Sequence, residues 1–187
     1  VHTEIRKNIK KTKKQKKIFN LNDQKSILKK LNFNLTNDQE KSLNEINSDL
    51  KSNQKMFRLL QGDVGSGKTI VALTAAFNVV KSGFQVAIMA PTEILAKQHY
   101  YFAKKIFNKN INLEILSSKS EASKKKNITK KLNDHQIDII FGTHAIFQKK
   151  IEFNKLGLII IDEQHKFGVN QRKKLSDKGG DNCDVLL

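Results

Sequence analysis

One cysteine, one proline and no tryptophan occur in 187 residues. The lone Cys183 has no partner for a disulfide framework and cannot build a cysteine zinc site; it fits a reducing cytoplasm. No apolar run approaches the ~20 residues that span a bilayer. The opening residues are too polar for a secretory signal peptide, so a cytoplasmic protein without a membrane partner is expected. No His/Asp/Glu spacing suggests zinc, and no Ser-His-Asp arrangement stands out; His2, His99 and His135 read as surface histidines. Acid is scarce too: 18 Asp and Glu against 35 Lys and Arg give a net charge of +17. Such a balance suits a polyanionic partner, usually nucleic acid. A richness in Lys, Asn and Ile also follows from the base composition of a coding gene, so charge alone leaves both readings open. There is no internal repeat. The length allows one domain with a real core. Because the chain begins at Val1 and ends in an apolar run at 183–187, it reads as a piece cut at both ends.

Against these absences stands GDVGSGKT at 62–69. It fits G-x-x-x-x-G-K-[ST], the phosphate-binding P-loop. Gly62, Gly65 and Gly67 let the backbone turn tightly, so that N–H groups from Asp63 to Ser66 point at a phosphate. A helix opening at Gly67 adds the positive end of its dipole. Lys68 reaches the β- and γ-phosphates, and the Thr69 hydroxyl is an Mg²⁺ ligand. The context agrees: 56–61 is a short apolar run that suits a buried strand, and 70–80 is an unbroken helical stretch with Gly83 placed as its C-cap glycine.

Strands alternate with helices along the rest. Residues 36–50 read as a helix with Leu43, Ile46 and Leu50 on one face. Residues 85–90 read as a strand, and 93–107 as a helix whose core stripe is Leu95, Phe102 and Ile106. Further strands are expected at 112–116, 137–141 and 156–161, with a Lys-rich helix at 121–132. This alternation predicts an α/β P-loop fold, a doubly wound parallel sheet with helices on both faces. Ligands in such sheets sit outside the carboxyl ends of the strands. Residues 1–31 form a basic helical lead-in, read either as the solvated arm of an upstream domain or as a contact for nucleic-acid phosphates.

A second chemical signal follows the strand at 156–161. Asp162 and Glu163 are adjacent carboxylates after a fully apolar run, and ionised groups there need a cation or partner. With a P-loop upstream, Asp162 is the natural second Mg²⁺ ligand. Glu163 stands next to it to orient or deprotonate an attacking water. Lys68, Asp162 and Glu163 are thus the catalytic candidates, with ATP and Mg²⁺ as ligands.

The run DEQH at 162–165 resembles the superfamily 2 helicases and translocases. The longer stretches 160–172, 59–69, 89–96 and 141–145 together are similar to RecG-type ATP-dependent DNA helicases, and the similarity runs from about Phe33 to the end. The transcription-repair coupling factor, a relative and the alternative within this class, usually has Glu where this chain has Gln164; a nucleotide-binding module without catalytic duty, its basic surface only tethering nucleic acid, is the alternative outside it. The resemblance implies a RecA-like first motor lobe over 32–187, truncated at its end, and a monomeric enzyme acting on branched double-stranded DNA. It implies that Pro91 and Thr92 grip the DNA backbone, although Thr92 is also a good helix N-cap. Gly142, Thr143 and His144 look like a second DNA-contacting loop or an ordinary strand-end turn. Gln164 and His165 would couple the nucleotide site to DNA. Phe33, Leu35 and Thr36 with Gln39 resemble the adenine-reading Q motif, while Thr36 and Gln39 also spell a capping box; one side chain does not serve both well, and adenine contact is the role expected of Gln39. In the family a second lobe supplies an arginine finger, so these residues alone are expected to bind nucleotide but hydrolyse it poorly.

Overall fold

In the computed structural model of the chain, residues 2–5, 13–107, 111–148, 150–162 and 180–187 are described. The apolar runs become strands and the periodic stretches become helices: β1 (His2–Ile5), α1 (Leu21–Leu28), α2 (Asn37–Lys51), β2 (Phe57–Gln61), α3 (Lys68–Lys81), β3 (Gln85–Met89), α4 (Glu93–Phe107), β4 (Leu113–Leu116), α5 (Ala122–Asn133), β5 (Ile139–Gly142), β6 (Leu156–Ile161) and β7 (Asp184–Leu186). A 3₁₀ turn at His144–Phe147 follows β5.

The described strands form one seven-stranded sheet in the order β1-β2-β7-β6-β3-β5-β4. β1 runs antiparallel to β2 at one edge, and the other neighbours are parallel. Alternate strand residues go to opposite faces. Val86, Ile88, Ile139, Phe141, Leu158 and Ile160 pack with α1 to α4. Ala87, Met89, Ile140, Ile159 and Ile161 pack with α5 and the 3₁₀ turn. Burial on both faces explains why these strands read as continuous apolar runs rather than alternating ones. Among the described residues no helix is long and apolar enough to cross a membrane.

Helix ends follow local chemistry. Thr36 and Gln39 close α2 with a full capping box. After α3, Gly83 takes φ 77°, where a side chain would be strained. In α4 the inward stripe is rotated from the expected one: Ala96, Ala103, Ile106 and Phe107 are buried, while Leu95 and Phe102 are half-buried. Small alanines let the helix axis approach the sheet, and that close approach sets the inner face.

The basic lead-in is joined to the lobe through β1, which pairs with β2, and again over 13–31. Lys14 and Lys17 have fully buried side chains and both donate to Asp184 Oδ2, at 2.6 and 2.8 Å. Asp184 Oδ1 accepts from the Met56 N–H at 2.6 Å. Burial pulls the Lys14 pKa below its ordinary value, against the pull of Asp184. Lys13 and Lys16 remain exposed. The helix α1 is the helical part of the lead-in and is tied in by a buried amide cluster. Gln24 Oε1 accepts from Asn47 Nδ2 at 2.8 Å and from Asn78 Nδ2 at 2.7 Å, and Asn78 Nδ2 also donates to Asn47 Oδ1 at 2.8 Å. Neither a free arm nor a phosphate-binding surface describes Lys14 and Lys17.

Candidate nucleotide site and neighbouring surface loops

Because β2, β3, β5, β6 and β7 are mutually parallel, their carboxyl ends share one edge of the sheet. The P-loop follows β2, Asp162 follows β6, Pro91 lies just past β3, and Thr143 follows β5. β2 and β3 are consecutive in sequence yet are separated by β7 and β6. This is the strand-order switch that opens a crevice in such sheets. A cleft of about 760 Å³ lies there, lined by Gly62, Asp63, Gly65, Lys68 and Thr69 on one side and by Asp162 with His99 on the other. Leu59, Leu60, Leu186 and Leu187 also line it. The glycine-bounded loop and the acidic strand end therefore meet in one place.

The loop geometry is that of a phosphate cradle. Gly65 and Gly67 take φ 82° and 79°, which a side chain would strain. A Cβ at Gly67 would also stand 2.3 Å from Gln39 Nε2. The Lys68 ammonium donates to its own loop, to Gly62 O at 2.6 Å and Asp63 O at 2.9 Å. Ser66 Oγ is a buried atom that has no hydrogen-bond partner among the described residues, and buried hydroxyls are normally paired. A displaceable ammonium, an orphan hydroxyl and inward glycines fit an anionic ligand of phosphate type. The hard oxygens of Thr69 and Asp162 fit Mg²⁺, which takes few protein ligands when phosphates supply the rest.

Gln39 does two jobs here. Its Oε1 accepts from the Thr36 N–H at 2.9 Å and its Nε2 donates to Ser66 O at 2.8 Å. The capping box and a brace on the P-loop thus coexist in one buried amide.

His99 was legible only as a surface histidine, yet its Nε2 lies 2.8 Å from Asp162 Oδ2. A signal was present: His99 falls three residues after Ala96 and four before Ala103, on the inner stripe of α4. The Asp162 N–H also donates to Met89 O at 2.9 Å. Glu163, Gln164 and His165 lie outside the described residues. Cys183 is fully buried and desolvation pushes its thiol up to about 12, so it is no nucleophile.

The loops assigned to DNA split by exposure. Thr92 is exposed and acts as the cap of α4, its Oγ1 accepting from the Leu95 N–H at 3.3 Å. Pro91 beside it is half-buried. Glu93 opens α4 and accepts from Ser117 Oγ, Ser118 N and Ser118 Oγ at 2.7, 3.0 and 2.6 Å. Those serine hydrogen bonds hold its carboxyl down to about 2. Gly142 and Thr143 present no side chain to solvent. A Cβ at Gly142 would stand 2.6 Å from Leu116 O, and Thr143 is 5% exposed. Of these three only His144 is exposed.

The family model described as DEAD/DEAH box helicase matches residues 36–181. The chain is 52% identical over 157 residues to the ATP-dependent DNA helicase RecG of Streptococcus pneumoniae, covering 84% of this chain and 23% of that protein. It is 50% identical over 156 residues to RecG of Aquifex aeolicus, covering 83% of this chain and 20% of the other. The solved structure of RecG bound to a three-way DNA junction matches with a TM-score of 0.82 at 41% identity, over 93% of this chain and 23% of that one. The UvsW helicase from bacteriophage T4 matches with a TM-score of 0.63 at 16% identity, over 92% of this chain and 61% of the other, which shows a shared fold alone. The sheet is that of a RecA-like helicase lobe. The chain spans less than a quarter of the length of these two curated relatives.

Proposed function

Because the chain belongs to the DEAD/DEAH box helicase family, we propose that it forms the ATP-binding first motor lobe of a RecG-like, ATP-dependent double-stranded DNA translocase that remodels forks and Holliday junctions. The observation that carries this reading is the shared cleft of the P-loop and Asp162. In it Lys68 leaves the carbonyls of Gly62 and Asp63 to take the β- and γ-phosphates, and the backbone N–H groups of the loop hold the remaining phosphate oxygens. Thr69 and Asp162 would hold Mg²⁺, whose charge offsets that of the phosphates. Glu163 orients the attacking water. Gln39 senses the base through the second hydrogen of its amide while bracing Ser66. The similarity to a RecG solved on a three-way junction supports branched DNA as the partner. So do the net charge of +17 and the placement of Thr92 and His144 beyond the same strand ends.

Fluorescent ATP-analogue binding to the 187-residue chain tests the nucleotide half. Lys68→Ala removes a charge-assisted contact worth about 1.5–3 kcal/mol, so affinity should fall roughly 10- to 100-fold. Glu163→Gln should leave it within about twofold, since this group acts on water and not on ground-state phosphate. Equal binding by the wild type and Lys68→Ala would refute the reading.

A further inference from the structure

One segment of chain holds Asp162 from two sides. Its N–H donates to Met89 O at the end of β3, and its Oδ2 accepts from His99 Nε2 at 2.8 Å in the second turn of α4. Between these anchors lie Pro91 and the exposed Thr92. An ionised carboxylate has no hydrogen to give, so the imidazole is the donor. The support behind His99 is firm. Glu93 pins the start of α4 to Ser117 and Ser118, Ala96 and Ala103 are buried against the sheet, and the Tyr100 ring meets Phe141 edge-on at 5.8 Å.

We propose that His99 is a positioning residue for Asp162: it fixes Oδ2, and with it the plane of the carboxylate, and so makes the exposed β3–α4 segment and the metal-binding carboxylate one mechanical unit. A carboxylate at the tip of a strand rotates about its last bond unless something holds it. Partners that orient a metal's ligands typically alter metal affinity by about 10–100-fold. The inference rests on the nucleotide reading above, because Asp162 matters in this way only if an Mg²⁺-nucleotide enters the cleft.

The test is binding of a fluorescent ATP analogue to the 187-residue chain, with Mg²⁺ titrated and again in EDTA. Wild type is compared with His99→Leu, His99→Asn and His99→Gln. Leucine has no donor, and asparagine is too short to place one at Oδ2; both should raise the half-saturating Mg²⁺ about tenfold. Both should leave affinity in EDTA within about twofold, as a role confined to the carboxylate requires. Glutamine sets an amide N–H where Nε2 stood and should restore the wild-type Mg²⁺ curve to within about threefold. An unchanged Mg²⁺ curve in His99→Asn would overturn the inference. So would an equal loss in EDTA, which marks general damage, or a tighter Mg²⁺ response, which would make His99 a competitor for Asp162. Absence of Mg²⁺-dependent binding by the wild type would instead overturn the nucleotide reading, and this inference with it.

Discussion

Asp184 shows how much one side chain decides at the residue scale. Two buried ammonium groups and a backbone N–H converge on its carboxylate, and no water replaces it at zero exposure. Asp184→Ala leaves both lysines buried without a counter-charge and should cost about 3–5 kcal/mol, read as a lowered urea midpoint. Glu93 gives a pH-dependent case. Its carboxyl, ordinarily near 4.5, is held down to about 2 by the serines. A depressed folded pKa contributes stability that is complete above the unfolded value and fades as pH falls towards the folded one. The urea midpoint of Glu93→Gln should therefore lie below that of wild type above pH 4.5. The gap should close as pH falls from 4.5 to about 2. A gap that stays constant across that range would place the effect elsewhere.

Elements were legible in proportion to how local their causes are. Helix α4 and strand β6 have the bounds their periodicity predicts, and α2 and α3 begin and end within two residues of it, because caps and apolar spacing are short-range signals. The site was legible where a motif encodes a shape: the P-loop needs Gly65 and Gly67 at positive φ, and Asp162 needs the end of a buried strand. What was hidden depends on distant partners. Lys14 and Lys17 look like solvated charge until Asp184 meets them from β7, and α1 lacks a strong apolar stripe because it docks through Gln24. His99 is hidden because the larger Leu95, rather than Ala96, looks like the inner stripe of α4. Gly142 and Thr143 read equally as a DNA-contacting loop or a strand-end turn, and the local pattern does not show that Leu116 and the core fill the space around them. The amide cluster joining α1, α2 and α3 yields a prediction at this scale. Asn78→Ala removes the donor shared by Gln24 and Asn47 and strands the buried Asn47 Oδ1, while Gln24 Oε1 keeps its bond from Asn47, for about 1–3 kcal/mol. Differential hydrogen exchange should show the loss first in α1, which buries fewer residues than α2 or α3.

At the scale of the whole molecule, the charge is large but not all of it is surface charge. Lys14, Lys17 and Arg58 are buried; Arg58 is engaged with Glu45 and Asp49, and both lysines with Asp184. Among the described residues, Lys124, Lys126 and Lys130 on α5 and Lys97, Lys104 and Lys105 on α4 are exposed to a polyanion. If the lobe contacts a junction through several of them, the log of the binding constant should fall against log salt with a slope steeper than about −2. Fluorescence anisotropy on a labelled three-way junction between 50 and 200 mM salt would show it; a flat response would exclude phosphate-driven binding.

The central claim is that the P-loop and the strand-end carboxylate serve one metal-bearing nucleotide. Substituting Mn²⁺ for Mg²⁺ with an ATP analogue, and recording paramagnetic broadening of backbone amides in the 187-residue chain, measures this directly. The account predicts that the amides of Thr69 and Asp162 broaden together, at the same Mn²⁺ concentration and only with nucleotide present. Broadening at one of them with the other left sharp would contradict it.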